Sequence, residues 1–126
     1  MIEEELSAEG GLDYGALRLA IEMRDPDLLL GFYSEAVKLR VVNAAFPEGV
    51  AFELRGRSQI ERYLRAVCDQ EVSCTVEGEI FFGEEGSIEF EEACEYPDGT
   101  GVVVRTKLEV QEGRITHQLD VVERRP

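Results

Sequence analysis

The sequence is poor in basic residues. Its 126 residues include 13 lysines and arginines against 27 aspartates and glutamates, which gives a net charge of −14 at pH 7. Because such an excess of negative charge repels phosphate groups, nucleic acids and anionic membrane surfaces are not expected as partners. No stretch approaches the roughly 18 consecutive apolar residues that a membrane-spanning helix needs. The N-terminus is acidic where a secretory signal would be basic, and we therefore expect a cytoplasmic protein.

Metal ligands and paired cysteines are also scarce. The chain has one histidine and three cysteines, Cys68, Cys74 and Cys94, none of them in a C-x-x-C pair. This set lacks the Cys and His spacings of the usual zinc sites, so no metal is expected. An odd number of cysteines without an export signal favours free thiols in a reducing compartment.

The remaining composition is that of an ordinary globular protein, with 44% hydrophobic and 32% charged residues. The length fits one domain. Residues 1–11 are rich in glutamate and end in two glycines, which predicts a flexible acidic N-terminal tail. A single domain is expected over residues 12–126, with a loop at Phe46–Gly49.

Three segments in the first half of the chain place apolar residues at helical spacing. Asp25 and Pro26 are typical of the cap and first residue of the second helix. Ser58 and Glu61 have the spacing of a capping box at the start of the third. The apolar positions are Tyr14, Leu17 and Ile21 in the first helix, Leu28, Leu29, Phe32 and Tyr33 in the second, and Ile60, Tyr63, Leu64 and Val67 in the third.

Alternating apolar residues predict strands, mostly in the second half. Pro97–Gly99 and Glu112–Gly113 are turn signals between them. Helices followed by a run of antiparallel strands define an α+β fold, in which helices cover one face of a curved antiparallel sheet. The strand positions are Leu39, Val41 and Asn43, then Cys74, Val76, Ile80 and Phe82, then Ile88, Phe90, Cys94 and Tyr96, then Val102, Val104, Leu108 and Val110, and finally Ile115–Val122.

Four short phrases in this order resemble the SnoaL-like, polyketide cyclase-like group of the nuclear transport factor 2-like superfamily. The resemblance extends over about residues 12–122 and implies a cone-shaped (cystatin-like) α+β barrel. A pocket would lie between helices and sheet, and dimers would form through the outer sheet face. The superfamily contains isomerases, cyclases, dehydratases, epoxide hydrolases and non-catalytic binders, so the fold alone does not settle the chemistry. The phrases are Arg24–Asp27, Leu54–Arg57, Tyr96–Gly99 and Glu112–Ile115.

Asp120 is the first catalytic candidate. The resemblance implies an acid/base aspartate five residues after the isoleucine of a Gly-Arg-Ile turn, and Asp120 has that offset from Ile115. A carboxylate against an apolar pocket has a raised pKa and can move a proton at a carbon acid. These cyclases commonly carry histidine two residues before the aspartate, where this chain has Gln118. His117 has the opposite parity and is expected on the outer face, with Thr116 and Gln118 on the pocket face.

Glu92 is the second catalytic candidate, because it interrupts an otherwise apolar row with Phe90, Cys94 and Tyr96. In a regular strand Glu92 points inward. Glu92 and Asp120 could then have different pKa values and divide the roles of acid and base between them. The alternative is a β-bulge near Glu91 that turns Glu92 to solvent.

The candidate ligand-binding residues are Gln118, Tyr33, Tyr63, Asn43, Thr106 and Tyr96. Tyr33 and Tyr63 lie on predicted helical apolar faces, where core packing with a satisfied hydroxyl is the alternative. Ketosteroid isomerases, which the chain resembles more weakly, have catalytic groups near Leu19, Asn43 and Thr106. None of the three is matched in kind, so steroid isomerisation is disfavoured.

Two functions of different classes remain open. The first is a cofactor-independent enzyme of the cyclase or isomerase type, in which Asp120 moves a proton next to a carbonyl of an apolar ligand. The second is a non-catalytic ligand-binding or dimeric assembly module of the same fold. Glu92 with Asp120 favours the first, while glutamine at position 118 and threonine at 106 favour the second.

Overall fold

The computed structural model describes residues 11–43, 50–82 and 87–125, and for residues 50 and 78–82 it describes only the backbone. The predicted loop at Phe46–Gly49 and residues 1–10 of the predicted tail lie outside this part of the chain. The elements are α1 (Tyr14–Met23), α2 (Pro26–Leu30), β1 (Tyr33–Asn43), β2 (Val50–Arg55), α3 (Arg57–Cys68), β3 (Ser73–Phe82), β4 (Ser87–Glu95), β5 (Gly101–Gln111) and β6 (Arg114–Arg124).

The first two helices begin where the sequence predicts. The Asp13 carboxylate accepts a hydrogen bond from the Ala16 N–H and caps α1. The Asp25 carboxylate caps α2, whose first residue is Pro26. The second helix is shorter than predicted, however, because it ends at Leu30. Tyr33 therefore belongs to β1 and not to a helical face.

Helix α3 is confirmed, but its predicted capping box is wrong. The N-cap residue is Gly56, which has a φ of 83° and no side chain to accept a hydrogen bond. This positive φ suits glycine, and the helix starts two residues earlier than a box with Ser58 as N-cap requires. The carboxylate of Glu61 binds Arg65 instead. Ile60 and Leu64 are buried, as the helical spacing predicts.

The α+β class and the curved sheet under N-terminal helices are confirmed, with one change in strand direction. The six strands have the order β2-β1-β6-β5-β4-β3. Four neighbouring pairs are antiparallel, but β1 and β6 are parallel. The sheet is therefore mixed, because the chain leaves β1, forms four further strands and returns beside β1 in the same direction. The core lies between the helices and the inner sheet face, with Leu17, Ile60, Val37 and Leu108 among its buried side chains.

A β-bulge changes which residues of β6 face inward. Val110 pairs with Ile115 and Glu109 pairs with His117, so Thr116 is the extra residue. Ile115 is fully buried, although the regular alternation would place it opposite Gln118 and Asp120. The prediction that Thr116 shares the pocket face is wrong, since its hydroxyl donates to the Glu109 carbonyl. His117 is exposed, as predicted.

The cysteines also differ from the prediction. Cys74 and Cys94 form a disulfide, and only Cys68 is a free thiol. The two residues face each other in the β3–β4 register, with their Cα atoms 4.1 Å apart. The prediction of free thiols is therefore wrong for two of the three cysteines. The number of cysteines does not show which strands become neighbours, so the sequence did not reveal this pair. The disulfide removes the cysteine argument for a reducing compartment.

Within the described ranges, no helix has the length and apolarity needed to cross a membrane.

Candidate functional site

A cavity of about 450 Å³ lies between the inner sheet face and the helices. Its walls are mostly apolar, and its polar groups are few. This combination is typical of small-molecule sites. All eight side chains predicted for the site line the cavity: Tyr33, Asn43, Tyr63, Glu92, Tyr96, Thr106, Gln118 and Asp120. Leu19, at a ketosteroid isomerase position, is 57% exposed.

Asp120 is held by three hydrogen bonds inside this cavity. It is 9% exposed. Thr106, its register partner on β5, donates its hydroxyl to Asp120 Oδ1 at 2.9 Å. Gln118 Nε2, two residues earlier on β6, lies 3.0 Å from Oδ1 and 3.1 Å from Oδ2. The carboxylate is thus oriented by donors from two neighbouring strands.

Gln118 is itself oriented by Tyr33. The Tyr33 hydroxyl donates to Gln118 Oε1 at 2.7 Å, so the amide oxygen of Gln118 is occupied and its NH₂ group is directed at Asp120. Tyr33 reaches this position because it opens β1, which pairs with β6. The result is a chain of hydrogen bonds from Tyr33 through Gln118 to Asp120.

Burial determines the protonation of Asp120. Desolvation raises the pKa of its carboxyl group to about 6, although the hydrogen bonds from Gln118 and Thr106 act in the opposite direction. The group therefore changes between acid and base near neutral pH. A carboxyl group in this range can both accept and return a proton under physiological conditions.

Glu92 faces the same cavity from β4. The β4–β5 register is regular at this point, with Glu91 opposite Arg105 and Glu92 opposite Val104, so the alternative of a bulge does not apply. Burial is the main cause that raises the pKa of Glu92 to about 7, and the negative charge of Asp120 raises it further. Arg24 acts in the opposite direction. The cavity thus contains two carboxyl groups with raised pKa values.

The two deeper tyrosines stay neutral at physiological pH. Burial and the charge of Asp120 raise the pKa values of Tyr33 and Tyr63 well above their ordinary value. Both hydroxyls therefore act as hydrogen-bond donors or acceptors and not as anions. The Tyr63 ring also packs edge-on against Phe52, with centroids 5.8 Å apart. Asn43 pairs with Val122 in the β1–β6 register, and Tyr96 packs against the small buried cluster that contains Cys94.

Arg24 lines the cavity and was not predicted. It caps α1 in the left-handed conformation, with a φ of 53°. Its guanidinium donates to the carbonyls of Val67 and Gln70 and lies 3.4 Å from the Cys74 sulfur. These contacts join the end of α1 to the end of α3 and to β3. No sequence signal could have shown them, because all three partners are remote along the chain.

The cavity wall also contains one cluster of potential metal ligands. In the described part of the chain, Cys74, Glu92 and Cys94 are the only group of this kind, with ligand atoms within 4.8 Å of one another. Both sulfurs belong to the disulfide, so neither can serve as a thiolate ligand. This chemistry does not fit a metal centre.

Solved structures with the same architecture confirm the fold that the sequence resemblance implies. An NTF2-like protein of unknown function from Mesorhizobium loti has a TM-score of 0.74 and 20% identity, over 96% of this chain and 93% of that chain. One from Burkholderia xenovorans LB400 has a TM-score of 0.72 and 18% identity, over 98% and 87%. The chain therefore has the nuclear transport factor 2-like fold.

This chain is also similar in structure to almost the whole length of the enzyme SalBIII. SalBIII is an epoxide hydrolase/cyclase-like enzyme with a role in pyran ring formation in the polyether salinomycin. Its TM-score is 0.68 at 17% identity, over 97% of this chain and 94% of that chain. No protein-family profile matches the sequence. No curated protein matches it either.

The two raised pKa values predict how stability changes with pH. When the pKa of a carboxyl group is higher in the folded than in the unfolded state, ionisation of that group destabilises the folded state. The free energy of unfolding should therefore fall as pH rises from about 4 to about 7, because Glu92 ionises in the unfolded chain first. We expect Glu92→Gln to increase the free energy of unfolding by on the order of 1–2 kcal/mol at pH 8 and by almost nothing at pH 4.

Urea unfolding at pH 4, 6 and 8 measures this difference. Glu91→Gln is the matched control, because Glu91 is the exposed neighbour that pairs with Arg105 on the outer face. The control should show no gain at pH 8. A loss of stability in Glu92→Gln at pH 8 would contradict a desolvated Glu92.

Proposed function

We propose that this protein binds an apolar carbonyl compound in the cavity and transfers a proton at the carbon next to the carbonyl, without a cofactor. The observation that carries this proposal is Asp120, a buried carboxyl group held by Thr106 and Gln118 in a mostly apolar cavity. Such a group combines fixed orientation with a pKa suited to accepting and returning protons near pH 7.

In this mechanism ionised Asp120 removes the proton as the carbon–hydrogen bond breaks. The electron pair of that bond moves to the carbonyl and forms an enolate. Glu92, which is partly protonated near pH 7, donates a hydrogen bond to the enolate oxygen. In an isomerisation Asp120 then returns the proton to another carbon. In a ring closure the enolate carbon attacks a second carbonyl of the same ligand, the π electron pair of that carbonyl moves to its oxygen, and this oxygen takes the proton from Asp120.

Hydrogen–deuterium exchange tests the proposal without knowledge of the natural substrate. Apolar cyclic ketones are incubated with the protein in D₂O, and loss of the α-proton signal is followed by NMR. Since Asp120 acts as a base above about pH 6 and Glu92 as an acid below about pH 7, the rate should peak between these values. A rate without such a maximum, or equal to that in buffer alone, would count against the mechanism.

A non-catalytic binding module is the second candidate. The observation that favours it is Gln118, because an amide cannot donate a proton as the imidazolium of the related cyclases can. Its hydrogen bonds with Tyr33 and Asp120 also form a network that is complete without substrate. Ketone binding seen in NMR spectra without deuterium exchange would support this candidate.

We also propose a homodimer formed through the outer sheet face. Leu119 is 36% exposed on this face and lies in register between Arg40 and Lys107. An apolar centre with a charged rim is typical of protein interfaces. Light scattering should give the mass of a dimer, and Leu119→Glu should shift it toward the 14.1 kDa monomer. A wild-type monomer at high micromolar concentration would rule this interface out.

A further inference from the structure

Glu92 differs from Asp120 in having no donor. Among the residues that the structure describes, no N–H or O–H group donates to its carboxylate. The one contact at hydrogen-bond range is 3.9 Å, from Glu92 Oε1 to the Cys94 sulfur. That sulfur belongs to the disulfide with Cys74 and carries no proton. A partly buried carboxylate without a donor is costly, so it favours either protonation or a ligand that supplies a donor.

No cationic side chain among the described residues forms an ion pair with Glu92 either, and Arg24 acts on it only at longer range. Arg24 is the only cationic side chain among the described residues that line the cavity. Its guanidinium is engaged by the carbonyls of Val67 and Gln70 and by the Cys74 sulfur, and no ion pair joins it to Glu92. The cavity therefore contains two carboxyl groups and one occupied guanidinium, in a chain of net charge −14. This balance attracts a cationic ligand and repels an anionic one.

We propose that the ligand carries a protonated amine on an apolar body, and that Glu92 is the group that binds this amine. An ammonium supplies the hydrogen-bond donors and the ion-pair partner that Glu92 lacks among the described residues. The apolar walls beside it, including Phe90 and Val104, accept the body of the ligand. This inference rests on the ligand-binding part of the proposed function and not on its proton transfer. Glu92 bound to an ammonium is ionised, so in a ligand that also carries the carbonyl the hydrogen bond to the enolate oxygen would come from the neutral Tyr63 hydroxyl.

Three charged groups near Glu92 set the pH behaviour of this contact. Asp120 on β6 and Glu22 on α1 raise its pKa, while Arg24 at the end of α1 lowers it. An ammonium adds a second positive charge, so Glu92 should ionise completely when the amine binds. Because its pKa is about 7, binding at pH 7 should release about half a proton to the buffer.

Three probes of nearly equal shape test the inference: 2-naphthylmethylamine, 2-naphthylmethanol and 2-naphthoate. Isothermal titration calorimetry with the full chain at pH 7 should find the amine bound about tenfold to a hundredfold more tightly than the alcohol, and the carboxylate most weakly. Titrations in two buffers of different ionisation enthalpy measure the proton release.

Variants distinguish a specific contact of the amine with Glu92 from a general attraction of the amine to the negatively charged protein. Glu92→Gln should remove most of the preference for the amine and the proton release, and should change the affinity for the alcohol by less than about threefold. Glu92→Asp, which keeps the charge, should keep part of the preference. Glu91→Gln changes the net charge equally on the outer face and should behave as wild type.

Each outcome decides the inference. Equal affinity for amine and alcohol would overturn it, as would equal effects of Glu92→Gln and Glu91→Gln. Failure of every probe to bind at millimolar concentration would overturn it together with the apolar-ligand proposal. Amine selectivity without deuterium exchange would support it and remove the proton-transfer mechanism. Exchange on neutral ketones without amine selectivity would leave the proposed function standing and overturn this inference alone.

Discussion

Replacing Asp120 by asparagine is expected to slow deuterium exchange on a bound ketone by a factor of about 10²–10⁴, the usual contribution of a general base. Asparagine has nearly the same shape, and its oxygen can accept the bonds that Thr106 and Gln118 donate to Asp120 Oδ1. It cannot accept a proton from carbon near neutral pH. Ketone binding should therefore change much less than the exchange rate.

A second variant distinguishes a catalytic from a structural role of Asp120. Thr106→Val keeps the carboxylate but removes one hydrogen bond that lowers its pKa. The acidic limb of the exchange profile should then move to higher pH, while the maximal rate changes less than in Asp120→Asn. Unchanged exchange in Asp120→Asn, with the fold intact by circular dichroism, would assign the proton transfer to another group.

Loss of the Cys74–Cys94 disulfide is expected to reduce the free energy of unfolding by about 3 kcal/mol. The two cysteines are 20 residues apart in sequence, so the bond restricts a loop of moderate length in the unfolded chain. It also joins edge strand β3 to β4 beside Glu92. Urea unfolding of the double variant Cys74→Ser/Cys94→Ser measures the effect.

The control is Cys68→Ser, which removes the free thiol and should leave the disulfide contribution intact. Alkylation in denaturant followed by mass spectrometry counts the thiols directly. One site should be labelled without reductant, and all three cysteines after reduction. Three labelled sites without reductant would show that the bond does not form in solution.

Local chemistry accounts for the parts of the fold that the sequence predicts correctly. Asp13 and Asp25 cap helices with their own side chains, so neighbouring residues suffice to place both helix starts. Glu112 and Gly113 both have positive φ, as the two-residue turn of a hairpin requires. Glu92 faces the cavity because β4 is regular from Glu91 to Glu95, and alternation then decides the face.

Features that join distant segments depend on the tertiary structure. The parallel pairing of β1 with β6 brings Tyr33 to Gln118, 85 residues apart. The pairing of β3 with β4 brings Cys74 to Cys94. The bulge at Thr116 shifts the alternation of β6 between Ile115 and Gln118. Neither the partner of a strand nor the position of a bulge is encoded in local periodicity.

The sequence by itself determined the fold class and the excess of negative charge, and it identified Asp120, through the family resemblance, and Glu92, through alternation, as candidate carboxyl groups. That Glu92 faces inward was decided by the regular pairing of β4 with β5. The tertiary structure alone decided that Thr106 and Gln118 donate to Asp120 and that Tyr33 orients Gln118, whereas Glu92 has a disulfide sulfur as its neighbour. The physical reason is that hydrogen bonding and desolvation depend on which side chains meet in space. Those meetings give the two carboxyl groups different surroundings, and from that difference we propose different roles for them.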